Sequence, residues 1–330
     1  MSEQSNQIQA TYTGAIAPLT SITISGEPTN DRIIYAGCWD KTIFSWSAKS
    51  KKQLHRFQGH ADFVKCVLWA KLGTQPILIS GSADASIIIW NATTGTRIHT
   101  LKGHTRAILD LQLDPAWTHD PSNSGTEIVL FSADTVRDIK RWRISVDSAL
   151  PEAAESISPH ETSVNKLCFE APSMAEEGVV DADLWTASSD KTARHLVRSR
   201  NWEADTTLEH PDFVRDVVVS PDGRWVVTAC RDEEVRVWDA SSGKLACTYS
   251  GHYEEVTGLV IVEDGLAVVS VSIDGTIRKW SLEASEIQKT REEAGNGDVK
   301  EQTPEEEPKE SMMTAEEEAE LADLMDSDDE

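Results

Sequence analysis

A short pattern ending in tryptophan recurs along the chain and restricts the fold more than any other feature. In four copies an aspartate lies six residues before the tryptophan, in the pairs Asp40/Trp46, Asp84/Trp90, Asp232/Trp238 and Asp274/Trp280. Two further copies are degenerate: one keeps Asp190 but ends in Leu196, and the other has two extra residues between Asp134 and Trp142. Such self-similarity indicates a repeat architecture, in which stacked units share a continuous core.

A histidine precedes the pattern in every unit except the first, where Ala15 takes its place. The histidines are His60, His104, His160, His210 and His252, and successive positions lie 42–56 residues apart. In three units the histidine follows a glycine, namely Gly59, Gly103 and Gly251. Between these markers lie β-branched runs of strand length, such as residues 64–70 and 256–262. Each unit is therefore predicted to form a four-stranded antiparallel sheet.

Over about residues 7–282 the chain resembles the WD-repeat β-propeller family, whose signature is a repeat of about 40–45 residues with Gly-His and Trp-Asp ends. The resemblance implies an all-β propeller. Six repeats are detectable, at residues 14–58, 59–102, 103–158, 159–208, 209–250 and 251–282. Most propellers of the family have seven blades, but the insertions at 115–125 and 171–183 are too short to hide another one.

The sequence leaves two alternatives for the closure of the ring. The strand-like residues 7–13 precede the first unit, where every other unit follows the fourth strand of its predecessor. We expect this stretch to complete the last blade, because a closed ring removes most free sheet edges. The alternative is an open ring of six blades that is completed by a strand from a partner.

Histidine, hydroxyl and aspartate side chains recur together in a way that could suggest a hydrolase. Their repetition in several blades argues against a single active site. The resemblance instead implies buried hydrogen-bonded tetrads with a structural role, because buried polar groups must be paired. The expected sets are His60, Ser80, Asp84 and Trp90; His210, Thr228, Asp232 and Trp238; His252, Ser270, Asp274 and Trp280; and His160, Thr186 and Asp190 without a tryptophan. We find no enzyme signature and no motif for a cofactor or a metal.

The resemblance implies that partners bind one face of the propeller, formed by the loops before the first strands and by the tight turns. Tryptophan, tyrosine and arginine dominate interface hot spots. We therefore predict a partner-binding face at Trp39, Phe63, Arg106, Asp212, Phe213, Arg231 and Tyr253. The alternative for Phe63 and Phe213 is packing between neighbouring blades.

The acidic charge is concentrated near the end of the sequence. The net charge is −25, and residues 281–330 contribute −15 of it, from 19 acidic and 4 basic residues. We predict a disordered acidic tail over 283–330, because few apolar residues are available for a core. Within it, a capping box at Thr314 predicts a short helix over 315–325 that forms on binding, with Leu321, Leu324 and Met325 on one face. Ser327 lies in an acidic context and is a candidate phosphorylation site.

These features favour a non-catalytic scaffold or adaptor, a subunit of a multiprotein complex that binds other proteins through its loop face and its tail. The alternative is an escort or assembly chaperone for a basic client, such as a histone or a ribosomal protein. The acidic charge argues against nucleic-acid and membrane binding. Five cysteines without a C-x-x-C pair, and a first segment without signal-peptide character, predict a cytoplasmic or nuclear location.

Overall fold

The computed structural model describes residues 11–26, 31–119, 125–151, 156–174 and 180–297, and nearly all its regular structure is β-sheet. In chain order the strands are β1 (Leu19–Ile24), β2 (Ile33–Cys38), β3 (Thr42–Ser47), β4 (Gln53–Gln58), β5 (Val64–Leu72), β6 (Gln75–Ser82), β7 (Ser86–Asn91), β8 (Arg97–Lys102), β9 (Ile108–Leu113), β10 (Glu127–Asp134), β11 (Ile139–Ser145), β12 (Ala149–Pro151), β13 (Val164–Phe169), β14 (Ser173–Met174), β15 (Val180–Asp181), β16 (Leu184–Ser188), β17 (Thr192–Val197), β18 (Glu203–Glu209), β19 (Val214–Val219), β20 (Trp225–Cys230), β21 (Val235–Asp239), β22 (Lys244–Tyr249), β23 (Val256–Val262), β24 (Ala267–Ser272) and β25 (Ile277–Ser281). The α-helices are α1 (Pro115–His119) and α2 (Ala284–Gly297), and short 3₁₀ turns span Arg198–Arg200 and Glu263–Gly265.

The strands form six antiparallel sheets, one for each repeat. Five sheets have four strands, in the orders β1-β2-β3-β4, β5-β6-β7-β8, β12-β11-β10-β9, β13-β16-β17-β18 and β19-β20-β21-β22. The sixth, β23-β24-β25, has three strands among the described residues. The strands β14 and β15 form a separate two-stranded ribbon within the fourth repeat. Every sheet lies within one of the repeats expected from the sequence, except that strand β18 extends one residue, Glu209, into the next repeat. We refer to the six sheets as blades one to six.

The middle strands of a blade are buried on both faces, which explains their continuous apolar runs. In β7, Ile87 and Ile89 pack in a cluster with Ile128 and Leu130 of the third blade. The alternate residue Ile88 packs with Tyr35 of the first blade. Full burial of such a side chain contributes roughly 1.5–3 kcal/mol, so packing between neighbouring blades stabilises the fold.

The innermost strands connect the blades in chain order. Strand β1 packs against β5, β5 against β9, β9 against β13, β13 against β19, and β19 against β23. Within the described part of the chain, no comparable packing joins β23 to β1. Of the stretch expected to close the ring, residues 7–10 lie outside the described residues and residues 11–13 form no strand. Closure of the last blade by this stretch and completion of the ring by a partner therefore both stay predictions.

The helix α2 differs from the expectation for the tail. Residues 284–297 were expected to begin a disordered linker, but they form a helix. The reason is a single apolar anchor, because Ile287 is buried in a cluster with Tyr249 and Leu282. The charged residues of the helix remain exposed. The polar composition of the segment therefore gave no sign that one side chain, Ile287, is buried. The short helix expected over 315–325 lies outside the described residues.

Candidate protein-interaction face

The predicted hydrogen-bonded sets hold the loop before each first strand against the tight turn of the same blade. In the second blade, His60 Nδ1 lies 3.0 Å from Asp84 Oδ2 and His60 Nε2 lies 2.8 Å from Ser80 Oγ. The indole N–H of Trp90 donates to the same Ser80 hydroxyl, at 2.9 Å. The sixth blade repeats this arrangement with His252, Ser270, Asp274 and Trp280. The fourth blade has His160, Thr186 and Asp190, with Leu196 at the tryptophan position.

The third blade contains a complete set that the sequence reasoning did not assemble. His104 Nδ1 lies 2.8 Å from Asp134 Oδ2, and His104 Nε2 lies 2.6 Å from Ser132 Oγ. The indole of Trp142 donates to Ser132 at 2.8 Å. The sequence search placed the hydroxyl four residues before the aspartate, whereas the two extra residues here leave it two before. The spacing between the hydroxyl and the tryptophan is conserved instead: Ser132 lies ten residues before Trp142, as Ser80 lies ten residues before Trp90. A search for that spacing identifies the set of the third blade.

The fifth blade departs from the expected set. His210 Nε2 lies 2.8 Å from Thr228 Oγ1 as expected, but His210 Nδ1 pairs with the backbone oxygen of Leu208, at 3.1 Å. Asp232 instead accepts two hydrogen bonds from the guanidinium of Arg236, at 3.0 and 2.6 Å. Burial, together with the positive charge of Arg236, lowers the pKa of His210 to about 4. This histidine is therefore neutral at physiological pH.

The first blade keeps Asp40 and Trp46 but lacks the histidine and the hydroxyl of the set. Ala15 replaces the histidine and Ala36 stands at the hydroxyl position, ten residues before Trp46. The indole N–H of Trp46 donates instead to the backbone oxygen of Thr13, at 3.0 Å. The first blade is therefore tied to the preceding segment by an apolar cluster rather than by a polar set.

These sets offer no accessible nucleophile. The hydroxyl residues Ser80, Ser132, Thr186, Thr228 and Ser270 are completely buried. In four of the five blades the hydroxyl oxygen also accepts a hydrogen bond from a tryptophan indole. A substrate has no access to such a group, so the arrangement is structural. The described residues also contain no group of three His, Cys, Asp or Glu side chains that could hold a metal ion.

One backbone hydrogen bond recurs in the blades and brings the two predicted kinds of surface position together. The residue before the set aspartate donates its N–H to the carbonyl of the third residue after the histidine. Examples are Ala83 to Phe63 at 2.9 Å, Arg231 to Phe213 at 2.9 Å and Ile273 to Glu255 at 3.1 Å. The loops before the first strands and the tight turns therefore meet at one face in each of these blades. We call this surface the loop face.

Two aromatic residues from different blades stack on the loop face. The ring centroids of Trp39 and Phe63 are 5.4 Å apart, with an angle of 17° between the planes. Both side chains remain accessible, with 46% of Trp39 and 38% of Phe63 exposed. Phe63 therefore packs against the neighbouring blade and also remains partly exposed, and its role in partner binding stays a prediction.

A second cluster joins the fifth and sixth blades and mixes aromatic and charged groups. The guanidinium carbon of Arg231 lies 5.4 Å from the ring centroid of Phe213, and that of Arg215 lies 5.8 Å from it. Arg215 forms an ion pair with Glu255. Arg231 Nε lies 4.0 Å from carboxylate oxygens of both Asp212 and Glu255. Phe213 is half-buried beneath these groups, while Arg231 remains exposed.

The remaining predicted positions are exposed but separate. Tyr253 is exposed, and the guanidinium of Arg278 lies 6.0 Å from its ring centroid. Arg106 is exposed on the loop of the third blade. Sequence reasoning missed Arg215 and Glu255, whose pairing orients the Phe213 cluster. The tail residues Leu321, Leu324, Met325 and Ser327 lie outside the described residues.

Comparison with known proteins gives matches to part of the chain. Residues 51–91, 202–239 and 243–281 match the family model described as WD domain, G-beta repeat. An uncharacterized WD repeat-containing protein of Schizosaccharomyces pombe is 34% identical over 76% of this chain and 64% of its own length. The nuclear distribution protein nudF of Aspergillus niger is 31% identical over 64% of this chain and 43% of its own length. The pre-mRNA-splicing factor PRP46 of Saccharomyces cerevisiae is 31% identical over 32% of this chain and 23% of its own length.

The chain thus spans less than two thirds of each of these relatives. No helix among the described residues combines the length and the apolar character that crossing a membrane requires.

Proposed function

Because this chain is a WD-repeat protein, we propose that it is a non-catalytic scaffold that holds other proteins in a complex through its loop face. Two of the relatives are a nuclear distribution protein and a pre-mRNA-splicing factor, which is compatible with such a role. They also support the proposed location in the cytoplasm or the nucleus.

The observation that carries this proposal is the exposed Trp39–Phe63 stack. Large aromatic side chains contribute most when a partner desolvates them, and a stacked pair is already ordered before binding. The Arg231–Phe213 cluster adds cationic and aromatic groups of the kind enriched at interface hot spots. Tyr253 lies in the neighbouring sixth blade. The face therefore offers two anchors of different chemistry.

Affinity purification from cells that make the protein tests the loop face. We expect Trp39→Ala and Arg231→Ala each to reduce recovery of the principal co-purifying protein, because truncating a hot spot costs about 2 kcal/mol or more, which is roughly thirtyfold in affinity. Quantitative mass spectrometry would measure the recovery.

Matched variants outside the loop face control for non-specific effects. Leu150→Ala removes an exposed apolar side chain from the outer strand β12, and Arg97→Ala removes an exposed arginine at the start of β8. Both should leave recovery unchanged. If Trp39→Ala and Arg231→Ala keep every partner at the wild-type level, the loop face is not the binding site.

A second candidate function follows from the charge distribution. Residues 281–330 carry a net charge of −15, which favours an escort or assembly chaperone for a basic client. Attraction of this kind is screened by salt, with a Debye length of about 8 Å at physiological ionic strength. Such a client should dissociate when residues 301–330 are deleted and at high ionic strength, whereas a scaffold should keep its main partner through both changes.

A further inference from the structure

The first blade presents an apolar face that the described residues leave uncovered. On β1, Leu19 and Ile22 follow the histidine position by four and seven residues. The matching residues of the other blades are Val64 and Val67, Ile108 and Leu111, Val164 and Leu167, Val214 and Val217, and Val256 and Leu259. All of these are 8% exposed or less, but Leu19 is 51% exposed and Ile22 is 68% exposed.

The preceding blade explains this difference. Val64 and Val67 of the second blade are buried in a cluster with Tyr35 and Ile43 of the first blade. The face that carries Leu19 and Ile22 in the first blade is therefore the face that a preceding blade covers in the second. The first blade keeps the apolar side chains that this position requires. Ile24, two residues beyond Ile22 on the same face of β1, is also exposed.

The sixth blade has the complementary uncovered face. Ile277 lies three residues before Trp280, and the matching residues Ile43, Ile87, Ile139, Ala193 and Val235 are at most 1% exposed, whereas Ile277 is 73% exposed. Ile87 owes its burial to a cluster that includes Ile108 and Ile128 of the following blade. Val260 and Val271 are exposed beside Ile277. The sixth blade is therefore built to be covered by a following blade.

In the segment before the first blade, Tyr12 occupies the position of a fourth-strand residue. Tyr12 lies three residues before Ala15 and its ring centroid is 6.2 Å from that of Trp46. Phe57 and Tyr249, at the matching positions of β4 and β22, contact Trp90 and Trp280 of the next blade at 5.7 and 5.2 Å. Tyr12 thus makes the contact that the outer strand of a preceding blade makes, although the described residues contain no sheet to which it belongs.

The repeats themselves show what fits between two such faces. In the four blades that lie between two others, the second to the fifth, the occupant is a β-sheet with apolar side chains on both faces. The residues of this sequence outside the described ranges do not favour such a sheet: residues 298–330 contain 15 acidic residues and no β-branched run, and residues 1–10 are long enough for one strand. Large uncovered apolar surfaces on soluble proteins mark interaction sites.

We propose that the opening between the sixth and first blades binds a β-sheet from another polypeptide, which takes the place of a seventh blade beside Tyr12. The sheet presents apolar side chains on both faces, toward Ile277 on one side and Ile22 on the other. The side chains of this surface differ from those of the loop face, so one protein docks by sheet completion while others remain free to bind the loops.

Site-specific photo-cross-linking in cells that make the protein tests the proposal. The photoreactive amino acid p-benzoylphenylalanine would replace Ile22 in one full-length variant and Ile277 in another. We expect both positions to cross-link to the same second polypeptide, through one segment with strand patterns, which mass spectrometry of the cross-linked peptides would identify. The same replacement at exposed Leu150 should not capture it, and adding Trp39→Ala should leave the cross-link intact.

Three cross-linking results would overturn the proposal. Products within one molecule at Ile22 and Ile277 would show that the chain fills its own opening. Products between two copies, with a dimer mass by light scattering, would show self-association. No product at either position would show that the opening is empty.

The purified protein offers a second measurement that does not depend on a partner. Because both side chains are exposed, Ile22→Asp and Ile277→Asp should each keep Tm within about 2 °C of the wild type. The matching change Ile87→Asp, in the covered second blade, should lower Tm by far more or abolish folding. If Ile277→Asp behaves like Ile87→Asp, the face is already covered within the molecule and the proposal fails.

Discussion

Replacing Asp84 with alanine tests whether the buried sets are structural. Asp84 accepts four hydrogen bonds: from His60 Nδ1 at 3.0 Å, from Ala61 N at 2.7 Å, and from Ser86 N and Oγ at 2.9 and 2.6 Å. Ala61 is exposed, so water can replace the aspartate there. The buried imidazole of His60 cannot turn to water, and its Nδ1 would keep only the Ser86 hydroxyl, 3.3 Å away.

The expected loss follows from these contacts. Asp84→Ala removes the shared acceptor of two buried groups, His60 Nδ1 and Ser86 Oγ. Poorly paired buried polar groups cost about 1–3 kcal/mol, so the free energy of unfolding should fall by about that amount. Urea titration at pH 7, followed by tryptophan fluorescence, measures it. Exposed Asp147 is the matched control, and Asp147→Ala should stay within about 0.5 kcal/mol of the wild type.

The pH dependence gives the same prediction a sign. Burial raises the pKa of Asp84, but the hydrogen bonds from Ser86 and Ala61 outweigh it, and the net pKa is below the usual 3.8. The ionised carboxylate therefore stabilises the fold above about pH 4, and this contribution is lost as the pH falls through the lower folded value. The difference between wild type and Asp84→Ala should shrink in acid. An unchanged urea midpoint for Asp84→Ala at pH 7, with an unchanged slope, would refute the structural reading of the set.

Two further predictions concern other positions of the repeat. Because the pKa of His210 is lowered to about 4, the unfolded chain binds a proton more readily than the folded chain below about pH 6.5. Stability should therefore fall as the pH drops from about 6.5 to 4. In urea titrations over this range His210→Gln should show a weaker dependence of stability on pH, and a dependence equal to that of the wild type would contradict the assignment. The residue after the set aspartate has a positive φ, 63° at Ala85 and 77° at Gly275, so Ala85→Gly should raise the free energy of unfolding by about 0.5–1 kcal/mol and Gly275→Ala should lower it by a similar amount. A Cβ at Gly275 would meet nothing within 4 Å, so a larger loss there would point to a cause other than backbone strain.

The sequence predicted the blades better than it predicted their exceptions. The Asp–Trp spacing and the β-branched runs locate all six sheets because each blade must repeat the same packing. The spacing could not show that Asp232 pairs with Arg236 and not with His210. That pairing arises because the Arg236 guanidinium lies within reach of the Asp232 carboxylate in the folded blade. Nor could it show α2, which depends on one buried residue, Ile287, in an otherwise polar segment.

The loop face was predictable in its positions and not in its pairings. The slots after the histidine and before the aspartate fall on one face because the same backbone hydrogen bond recurs between them. The stacking of Trp39 on Phe63 joins two blades, and the opening beside the first blade depends on how the blades curve. Neither is encoded in the pattern of a single repeat.

The first blade lacks the histidine and the hydroxyl of the hydrogen-bonded set, which affects how the row of blades unfolds. In an array of repeats, stability is approximately a sum of unit and neighbour contributions. The first blade carries alanines at 15 and 36 and has a neighbour on one side among the described residues, so its amides should exchange with solvent faster than those of the second to fifth blades. Any molecule that binds only the intact first blade would suppress this fraying, and its affinity would be reduced by the fraction of molecules in which that blade is open.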